Sequence, residues 1–262
     1  YDVYVIVNNC TDNTLEVAKN AGAKIIECKQ KVKSKGEVLK YTFNKLKSND
    51  EIDAYVIFDA DNVVHREFLN KMNDSINYGY EVVQGFRDTK NICDNWLSTS
   101  YAILYYLQSL FINKSRFNFG MSSFLNGTGF MVKKETIDRY GYDPKTITED
   151  IEYTAICAIN GIKIAFNENA ITYDEQVTDF KSSLKQRKRW SFGAIQCLKN
   201  YTGSLIKEGI KNKRFECFDV IIFYFGIIFH VLFTIVSLIG IFYNVFYLND
   251  FNSMDVVIYF IM

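Results

Sequence analysis

Two acidic residues that directly follow an apolar run have the type and spacing of a metal site. The run AYVIF at 54–58 predicts a short strand typical of the centre of a parallel sheet, and Asp59 and Asp61 come directly after it. Ligands of open α/β sheets bind beyond the carboxyl ends of strands, where two carboxylates can share a divalent cation that grips a diphosphate. The spacing also arises by chance, so a pair of solvated loop acids is the alternative.

Another acidic group, Thr148-Glu149-Asp150, stands at the start of a predicted helix. A carboxylate at position 150 could take the proton from an acceptor hydroxyl as a general base. Acids are also common at helix starts because they cap the free N–H groups, so capping remains open as the alternative. His65, four residues after Asp61, could add a metal ligand, although a structural or solvated histidine is the more ordinary interpretation.

A basic run, QRKRW at 186–190, has a helical spacing that brings three useful side chains together. Gln186, Arg189 and Trp190 are i, i+3 and i+4 neighbours and would share one helix face. A guanidinium there could neutralise the charge that develops on a leaving diphosphate, and an indole could stack on a sugar ring. A membrane-interface segment is the alternative for the basic run and for the tryptophan.

The elements that must position these residues alternate between strands and helices. Strands are predicted at 2–7, 23–28, 54–58, 81–86, 130–132 and 162–166. Helices are predicted at 12–20, 35–46, 66–78, 149–160 and 180–199, with a further stretch of apolar residues at helical spacing over 96–119. This βαβαβ order indicates a doubly wound α/β sheet.

Composition narrows the class of protein. The 262 residues carry 30 basic and 30 acidic side chains, so the chain has no net charge and we expect no nucleic-acid partner. Six scattered cysteines without a CxxC pair argue against a zinc module and a disulfide framework. With 48% hydrophobic and 23% charged residues, the chain can bury a sizeable core.

The C-terminal part predicts a membrane segment. Residues 220–248 contain no Asp, Glu, Lys or Arg, and as a helix they would reach roughly 43 Å, enough to cross a bilayer. A buried core helix is the alternative. We expect a catalytic domain at 1–200, a basic interfacial connector at 201–219, a transmembrane helix at 220–248 and the start of a second one at 256–262. The lysines ahead of the span predict that the preceding residues stay in the cytoplasm, and we expect missing sequence at both ends because the chain opens inside a strand without an initiator Met.

In their order along the chain, the motifs resemble those of the glycosyltransferase family 2 enzymes, inverting sugar-nucleotide transferases with a GT-A domain. The resemblance covers nearly the whole chain through VIVNNCTDNT, SKGEVLK, VIFDADN, FLNGTGFMV, TITED, QRKRW and the apolar run that follows. It is closest to the membrane-embedded branch of cellulose, hyaluronan, chitin and poly-N-acetylglucosamine synthases. The resemblance implies a GT-A (nucleotide-diphospho-sugar transferase) doubly wound α/β sheet followed by transmembrane helices, in a multi-pass protein of the cell membrane with a cytoplasmic catalytic domain.

The resemblance also implies a role for each matching residue. Asp150 matches the catalytic base, and Asp61 with Asp59 matches the ligands of Mg²⁺ or Mn²⁺. The nucleotide-sugar site matches Asn8, Lys35, Asp59, Gln186 and Arg189, and the acceptor site matches Trp190, Gly127, Thr128 and Gly129. Asn8 stands where the family usually has an aspartate for the uracil ring, and an amide is a weaker acceptor than a carboxylate.

The predicted function is the inverting transfer of a sugar from a nucleotide-diphosphate sugar, expected to be a UDP-sugar, to a polysaccharide hydroxyl at the cytoplasmic membrane face. The expected partners are this donor, a glycan or lipid acceptor, and membrane lipids. Transfer of a single sugar to a lipid is the alternative among enzymes, and a non-catalytic nucleotide-binding membrane protein is the alternative of a different class. Glycoside hydrolysis by two carboxylates fits less well because of the cationic run.

Overall fold

The computed structural model describes residues 1–243, and its N-terminal half alternates strands and helices as the sequence predicts. A two-stranded parallel sheet joins β1 (Tyr4–Val7) to β2 (Lys24–Glu27), and α1 (Thr14–Asn20) connects them. Helix α2 (Lys35–Leu46) begins where the side chain of Ser34 accepts the backbone N–H of Glu37, and it leads into β3 (Ala54–Ile57).

A five-stranded mixed sheet carries the rest of the α/β unit. Its strand order is β3, β6 (Phe130–Lys133), β5 (Val82–Thr89), β7 (Ile164–Asp174) and β4 (Val63–Val64). Only β5 and β7 pair in parallel, and the other three pairs are antiparallel.

Two expectations about the sheet are therefore corrected. The sheet is mixed, and β3 lies at one end of the five-stranded order because β6 runs antiparallel between β3 and β5. Strand β7 continues eight residues beyond its predicted end at 166, because Ala170, Thr172 and Asp174 alternate inward and are buried although two of them are polar.

Helices cover the sheet and extend from it. They are α3 (Phe68–Asn77), α4 (Trp96–Leu107), α5 (Ser115–Asn118), α6 (Lys134–Tyr140), α7 (Glu149–Asn160), α8 (Phe180–Asn212) and α9 (Phe215–Tyr243). A π-helical segment, Gln108–Lys114, continues α4 into α5. Its Asn113 is buried and is bonded to Phe124 in both directions, with Nδ2 donating to the carbonyl at 3.1 Å and Oδ1 accepting the N–H at 3.0 Å. These bonds fix the segment to the chain that leads into β6.

The described residues form four buried apolar clusters, and the two largest join the sheet to the C-terminal helices. One lies between the sheet and helices α2, α6 and α7 and includes Phe43, Val82, Phe130 and Tyr153. The other joins α7, α8 and α9 through residues such as Cys197, Leu205 and Tyr224. All six cysteines are free in the structure.

Helix α8 is longer than predicted, and α9 is docked at its start. Residues 201–212, predicted as part of a basic connector, continue α8 until Lys213 takes a left-handed conformation with φ of 53°. The first turns of α9 then bury Cys217, Val220 and Tyr224 against α7 and α8.

The predicted transmembrane helix at 220–248 is not supported by the structure. Among residues 1–243, no helix combines the length and the apolar character that a membrane crossing requires. Val220 and Tyr224 of the predicted span are buried against α7 and α8, and Asp219, just before the span, forms an ion pair with Arg116. Residues 244–248 and the second apolar run at 256–262 lie outside the described residues.

Candidate active site

The turn after β3 holds the Asp59–Asp61 pair at the carboxyl end of the strand. The backbone N–H of Asp59 donates to Asn62 Oδ1 at 3.0 Å and to Thr128 Oγ1 at 3.1 Å. The hydroxyl of Thr128 also donates to Asn62 Oδ1. The aspartate turn and the small-residue loop at 126–129 are therefore fixed to each other.

Lys35 connects the same two segments by its charge. Its Nζ forms an ion pair with Asp59 and donates to the carbonyl of Gly127 at 2.7 Å. Asp61 is exposed and accepts only a long bond of 3.4 Å from Asn62 Nδ2 at its carboxylate. Desolvation, followed by the charges of Asp174 and Asp59, raises the pKa of Asp61 above its ordinary value. The end of β3 thus carries negative charge that Lys35 does not fully balance.

The buried network behind this turn was not predicted from the sequence. Asp174, at the end of β7, accepts a bond of 2.8 Å from Asn62 Nδ2 and one of 2.7 Å from Arg87 Nε. The guanidinium of Arg87 also donates to the carbonyl of Asn126 at 3.1 Å and lies 3.7 Å from the ring centre of Tyr105. One ion pair therefore supports the aspartate turn, the small-residue loop and helix α4.

Gln84 shapes the small-residue loop from beneath. Its buried Nε2 donates to the carbonyls of Thr128 at 3.0 Å and Gly129 at 3.2 Å, and its Oε1 accepts the N–H of Asn126 at 2.9 Å. The side chain of Asn126 accepts a further bond of 3.1 Å from Gln108 Nε2 of the π-helical segment. The loop is thus held by hydrogen bonds from β5 and from the π-helical segment.

Two glycines in this loop are required by its backbone and its neighbours. Gly127 and Gly129 have φ of +79° and +61°, in the left-handed region that glycine tolerates best. A Cβ on Gly127 would lie 3.1 Å from Asp150 Oδ2, and one on Gly129 would lie 2.7 Å from Thr172 Oγ1. The absence of a side chain at Gly127 therefore lets the Asp150 carboxylate approach the loop.

Asp150 lies in the first turn of α7 with its two oxygens in different surroundings. Oδ1 accepts the N–H of Ile151 at 2.9 Å, whereas Oδ2 is the atom nearest Gly127. Burial raises the pKa of Asp150, and burial together with the charge of Asp150 raises the pKa of Glu149 to about 7. The nearby Lys35 ammonium opposes both shifts. One oxygen is therefore bonded to the backbone of the first helical turn, and the other lies beside the loop.

The QRKRW residues have different surroundings along α8. Gln186 and Arg189 line an open groove of about 510 Å³ together with Ile147, which lies three residues before Asp150. Trp190 instead packs edge-on against α4, with its ring centre 6.2 Å from that of Tyr101 and 6.4 Å from that of Tyr105. Trp190 thus contacts α4 while Gln186 and Arg189 border the groove, and the three residues remain i, i+3 and i+4 neighbours on one helix.

Asn8 and His65 have local hydrogen bonds. Asn8 Nδ2 donates to the carbonyl of Cys28 at 2.8 Å and more weakly to that of Gln30 at 3.3 Å, which orients the amide at the end of β1. His65 Nδ1 accepts the N–H of Glu67 at 3.3 Å, as a residue of a local turn would.

The donor set fits a divalent cation that shares its coordination with a substrate. Within residues 1–243, no group of three or more His, Cys, Asp and Glu side chains is placed to enclose a metal. Magnesium-type sites commonly use one or two carboxylates and complete their coordination with water and substrate phosphates. The exposed Asp61, with its raised pKa and neighbouring Asp59, provides such a partial site.

Comparison with known proteins identifies the family to which this arrangement belongs. Residues 1–193 match the family model described as "Glycosyltransferase like family 2". The chain belongs to this family. The probable glycosyltransferase YdaM of Bacillus subtilis (strain 168) is 23% identical to the chain over 253 residues, which are 87% of the chain and 56% of YdaM. The chain therefore spans just over half the length of this relative.

Two solved structures are similar to the chain at low sequence identity. The mannosyltransferase PcManGT of Pyrobaculum calidifontis, solved with GDP-Man and Mn²⁺, has a TM-score of 0.56 and 14% identity, covering 76% of this chain and 55% of its own. Glucosyl-3-phosphoglycerate synthase of Mycobacterium tuberculosis has a TM-score of 0.47 and 16% identity, covering 74% and 68%. The predicted family and α/β GT-A-like fold are confirmed, and the membrane-synthase branch stays a prediction.

Proposed function

We propose that the protein is an inverting, metal-dependent glycosyltransferase that moves a hexose from a nucleotide-diphosphate sugar to an acceptor hydroxyl. The observation that carries this proposal is the loop at Gly127. Asp150 Oδ2 lies beside this glycine, and the carbonyl of the same residue binds Lys35, which pairs with Asp59. A candidate base and a candidate donor site therefore share one small-residue loop.

The aspartate turn and its cation account for the donor half of the proposal. Asp61, assisted by Asp59, would hold Mg²⁺ or Mn²⁺, which when bound neutralises negative charge on the donor diphosphate. The Mn²⁺ and GDP-Man bound to PcManGT support this assignment. Arg189 and Gln186 of the groove would add donors for the leaving diphosphate, and Lys35 holds Asp59 in place through their ion pair.

Asp150 accounts for the acceptor half. Its Oδ2 would accept the proton of the acceptor hydroxyl while that oxygen attacks the anomeric carbon from the side opposite the diphosphate. One displacement of this kind inverts the anomeric centre. The positive charge of Lys35 favours the ionised carboxylate, which is the form that a general base requires.

The nucleobase of the donor and the identity of the acceptor are narrower parts of the proposal. Asn8, with its Nδ2 bonded to Cys28, would present its Oδ1 to the N–H of a uracil ring of a UDP-sugar, as a weaker acceptor than the aspartate usual in the family. The partly exposed Trp190, which packs on the buried Tyr101 and Tyr105, would contact a sugar of a growing polysaccharide. A lipid acceptor that receives a single sugar is the second candidate, favoured by the apolar side chains that α9 exposes.

Placement at the cytoplasmic face of the cell membrane is also proposed. It is supported by the uncharged run at 220–248 and by the exposed lysines of α8. Fractionation of cells that express the full-length protein tests this placement, and recovery of the protein in the soluble fraction would reject it.

A donor panel tests the catalytic proposal. Full-length protein in membranes would be incubated with UDP-, GDP- and dTDP-sugars, and nucleotide release and product mass would be measured. We expect divalent-dependent release from UDP-sugars, with an extended glycan as the product. Nucleotide binding without release or product would instead support the non-catalytic alternative.

A further inference from the structure

The chain that leads into α7 is held by side chains that bind its backbone. Residues 145–148, which we call the approach segment, lie outside the helices and strands and directly precede Glu149 and Asp150. Among the described residues, the Thr148 side chain accepts none of the free N–H groups at the start of α7. The direction in which the chain enters the helix is therefore set by contacts other than an ordinary cap.

Glu152 binds the approach segment from inside α7. Its side chain is fully buried, its Oε1 accepts the N–H of Lys145 at 2.8 Å, and its Oε2 accepts the N–H of Thr146 at 2.7 Å. In an ordinary capping box, the acid at the third helical position accepts the N–H of the residue before the helix. Glu152 stands at the fourth position and reaches two and three residues further back, so it fixes the approach segment instead.

Helix α8 binds the same segment at the next residue. The N–H of Ile147 donates to Gln196 Oε1 at 3.1 Å. The hydroxyl of Tyr201, further along α8, donates to Glu152 Oε1. Three consecutive backbone N–H groups, at 145, 146 and 147, therefore donate to side chains of α7 and α8, and those two side chains are themselves connected through Tyr201 and its helix.

The helix that binds the approach segment also carries the residues proposed to bind the leaving diphosphate. Gln186 and Arg189 precede Gln196 on the same continuous helix, and they line the groove together with Ile147. The rise of an α-helix is constant at 1.5 Å per residue, so positions along it keep fixed distances. A shift of the approach segment on α8 would therefore change the distance between these groups and Asp150.

We infer that Gln196 and Glu152 are positioning residues, which hold the carboxylate of Asp150 in register with the diphosphate-binding side chains of α8. Both bind backbone N–H groups ahead of α7 and act on the reaction through Asp150. A displacement of about 1 Å can lower the rate of a reaction by about 10²-fold. This inference deepens the proposed glycosyltransferase function and rests on it.

Substitution of Gln196 in the full-length protein tests the contact from α8. Gln196→Leu removes the acceptor for the Ile147 N–H, and we expect kcat for sugar transfer to fall by about 10- to 100-fold while donor affinity stays unchanged. Gln196→Glu keeps an acceptor oxygen and should retain most of the rate. Asn200→Leu is the matched control, because Asn200 is exposed one turn further along the same helix.

Substitution of Glu152 tests the contact from α7. Both carboxylate oxygens accept a backbone N–H, so either orientation of the amide in Glu152→Gln places its NH₂ group against a donor. Because a buried mismatch can also lower stability, Tyr201→Phe is the milder companion, which removes only the hydroxyl bonded to Glu152. We expect both variants to lower kcat for transfer, with the larger loss in Glu152→Gln.

A double-mutant cycle separates positioning from a general loss of structure. If Gln196 acts through the base, addition of Gln196→Leu to Asp150→Asn should lower transfer little further, whereas independent structural damage would multiply the two losses. Hydrogen exchange of the amides at 145–147 gives a readout that needs no activity. We expect faster exchange in Gln196→Leu and Glu152→Gln, and unchanged exchange in Asn200→Leu.

Four results would overturn the inference. One is normal transfer by variants whose amides at 145–147 exchange faster, and another is full multiplication of the losses in the Asp150→Asn background. A third is unchanged exchange in both Gln196→Leu and Glu152→Gln. A fourth is an equal loss of transfer in Gln196→Glu and Gln196→Leu. An unmodified protein that transfers no sugar, while its amides respond as expected, would reject the proposed function and the positioning role that rests on it, and would leave the contacts themselves established.

Discussion

The two carboxylate oxygens of Asp150 make different contacts, and this difference allows a clean substitution. In Asp150→Asn the amide oxygen can still accept the N–H of Ile151, so the start of α7 should be preserved. The amide cannot take a proton from an acceptor, and we expect transfer to fall by roughly 10²–10⁴-fold. Calorimetric donor binding should change little. Near-normal transfer by this variant would show that Asp150 is a helix-capping residue.

The charge balance at the aspartate turn gives a second prediction. Asp61→Asn removes one carboxylate ligand while keeping the shape of the side chain, and donor turnover should lose most of its rate because both cation and diphosphate bind more weakly. Addition of EDTA should have the same effect on the unmodified protein. Asp53→Asn is the control, since this exposed acid precedes the same strand at its other end. Full turnover in EDTA would contradict the metal assignment.

Glu149 makes stability depend on pH. Its pKa is about 7 in the folded chain against an ordinary 4.5, so the folded state holds a proton that the unfolded state releases between these values. The free energy of unfolding should therefore decrease as pH rises from 4.5 to 7, by roughly 3 kcal/mol. Glu149→Gln should remove much of this decrease in urea titrations at pH 5 and pH 8. The exposed Glu51→Gln should keep it, and an unchanged pH dependence in Glu149→Gln would reject the assignment.

At the scale of elements, α8 and the loop before α7 meet at a residue without a side chain. A Cβ on Gly193 would overlap Thr148 Oγ1, whereas one on Gly203 of the same helix would meet nothing within 4 Å. Alanine favours a helix over glycine by about 1 kcal/mol. We expect Gly203→Ala to gain about that much unfolding free energy, and Gly193→Ala to lose stability and transfer because the Asp150 loop is displaced.

Thermal unfolding and product formation, measured on both variants, check this prediction. Equal stabilisation by the two alanines would mean that α8 and the loop can separate without cost.

Sequence patterns predicted where strands and helices lie better than they predicted which strands and side chains pair. The strand before Asp59 and the helix at Asp150 were predicted, because apolar periodicity and capping act locally. The antiparallel insertion of β6 depends on pairing over more than 70 residues, which no local pattern contains. Arg87 and Asp174 were missed for the same reason, since each has an unremarkable sequence context and becomes informative only when paired. Gln84 was missed because a buried glutamine in a strand leaves no recognisable pattern.

On the scale of the whole molecule, the proposed donor contacts and the proposed acceptor contacts come from different parts of the fold. The aspartate turn, Lys35 and Asn8 follow the strands of the N-terminal half, whereas Trp190 belongs to a cluster between α4 and α8. Arg87 connects the parts, because it pairs with Asp174 and contacts the ring of Tyr105. Donor hydrolysis and sugar transfer should therefore respond differently to substitutions in α8.

Trp190→Ala tests this division. Removal of the indole takes away an apolar surface and no charge, so we expect sugar transfer to decrease more than donor hydrolysis. Trp190→Phe should recover part of the transfer, because it restores an aromatic ring beside Tyr101 and Tyr105. Both rates can be measured in one assay as product formed and nucleotide released. Equal losses of the two rates in Trp190→Ala would contradict the division.

The π-helical segment has a consequence for how the chain can change in length. A residue removed from an α-helix turns everything beyond it by about 100°. Gln108 reaches Asn126 at the start of this segment, and Asn113 is bonded to Phe124 near its end. A single deletion between them would rotate one anchor away from its partner, and an insertion would do the same in the opposite direction. Natural variants should therefore exchange residue types here far more readily than they gain or lose a codon.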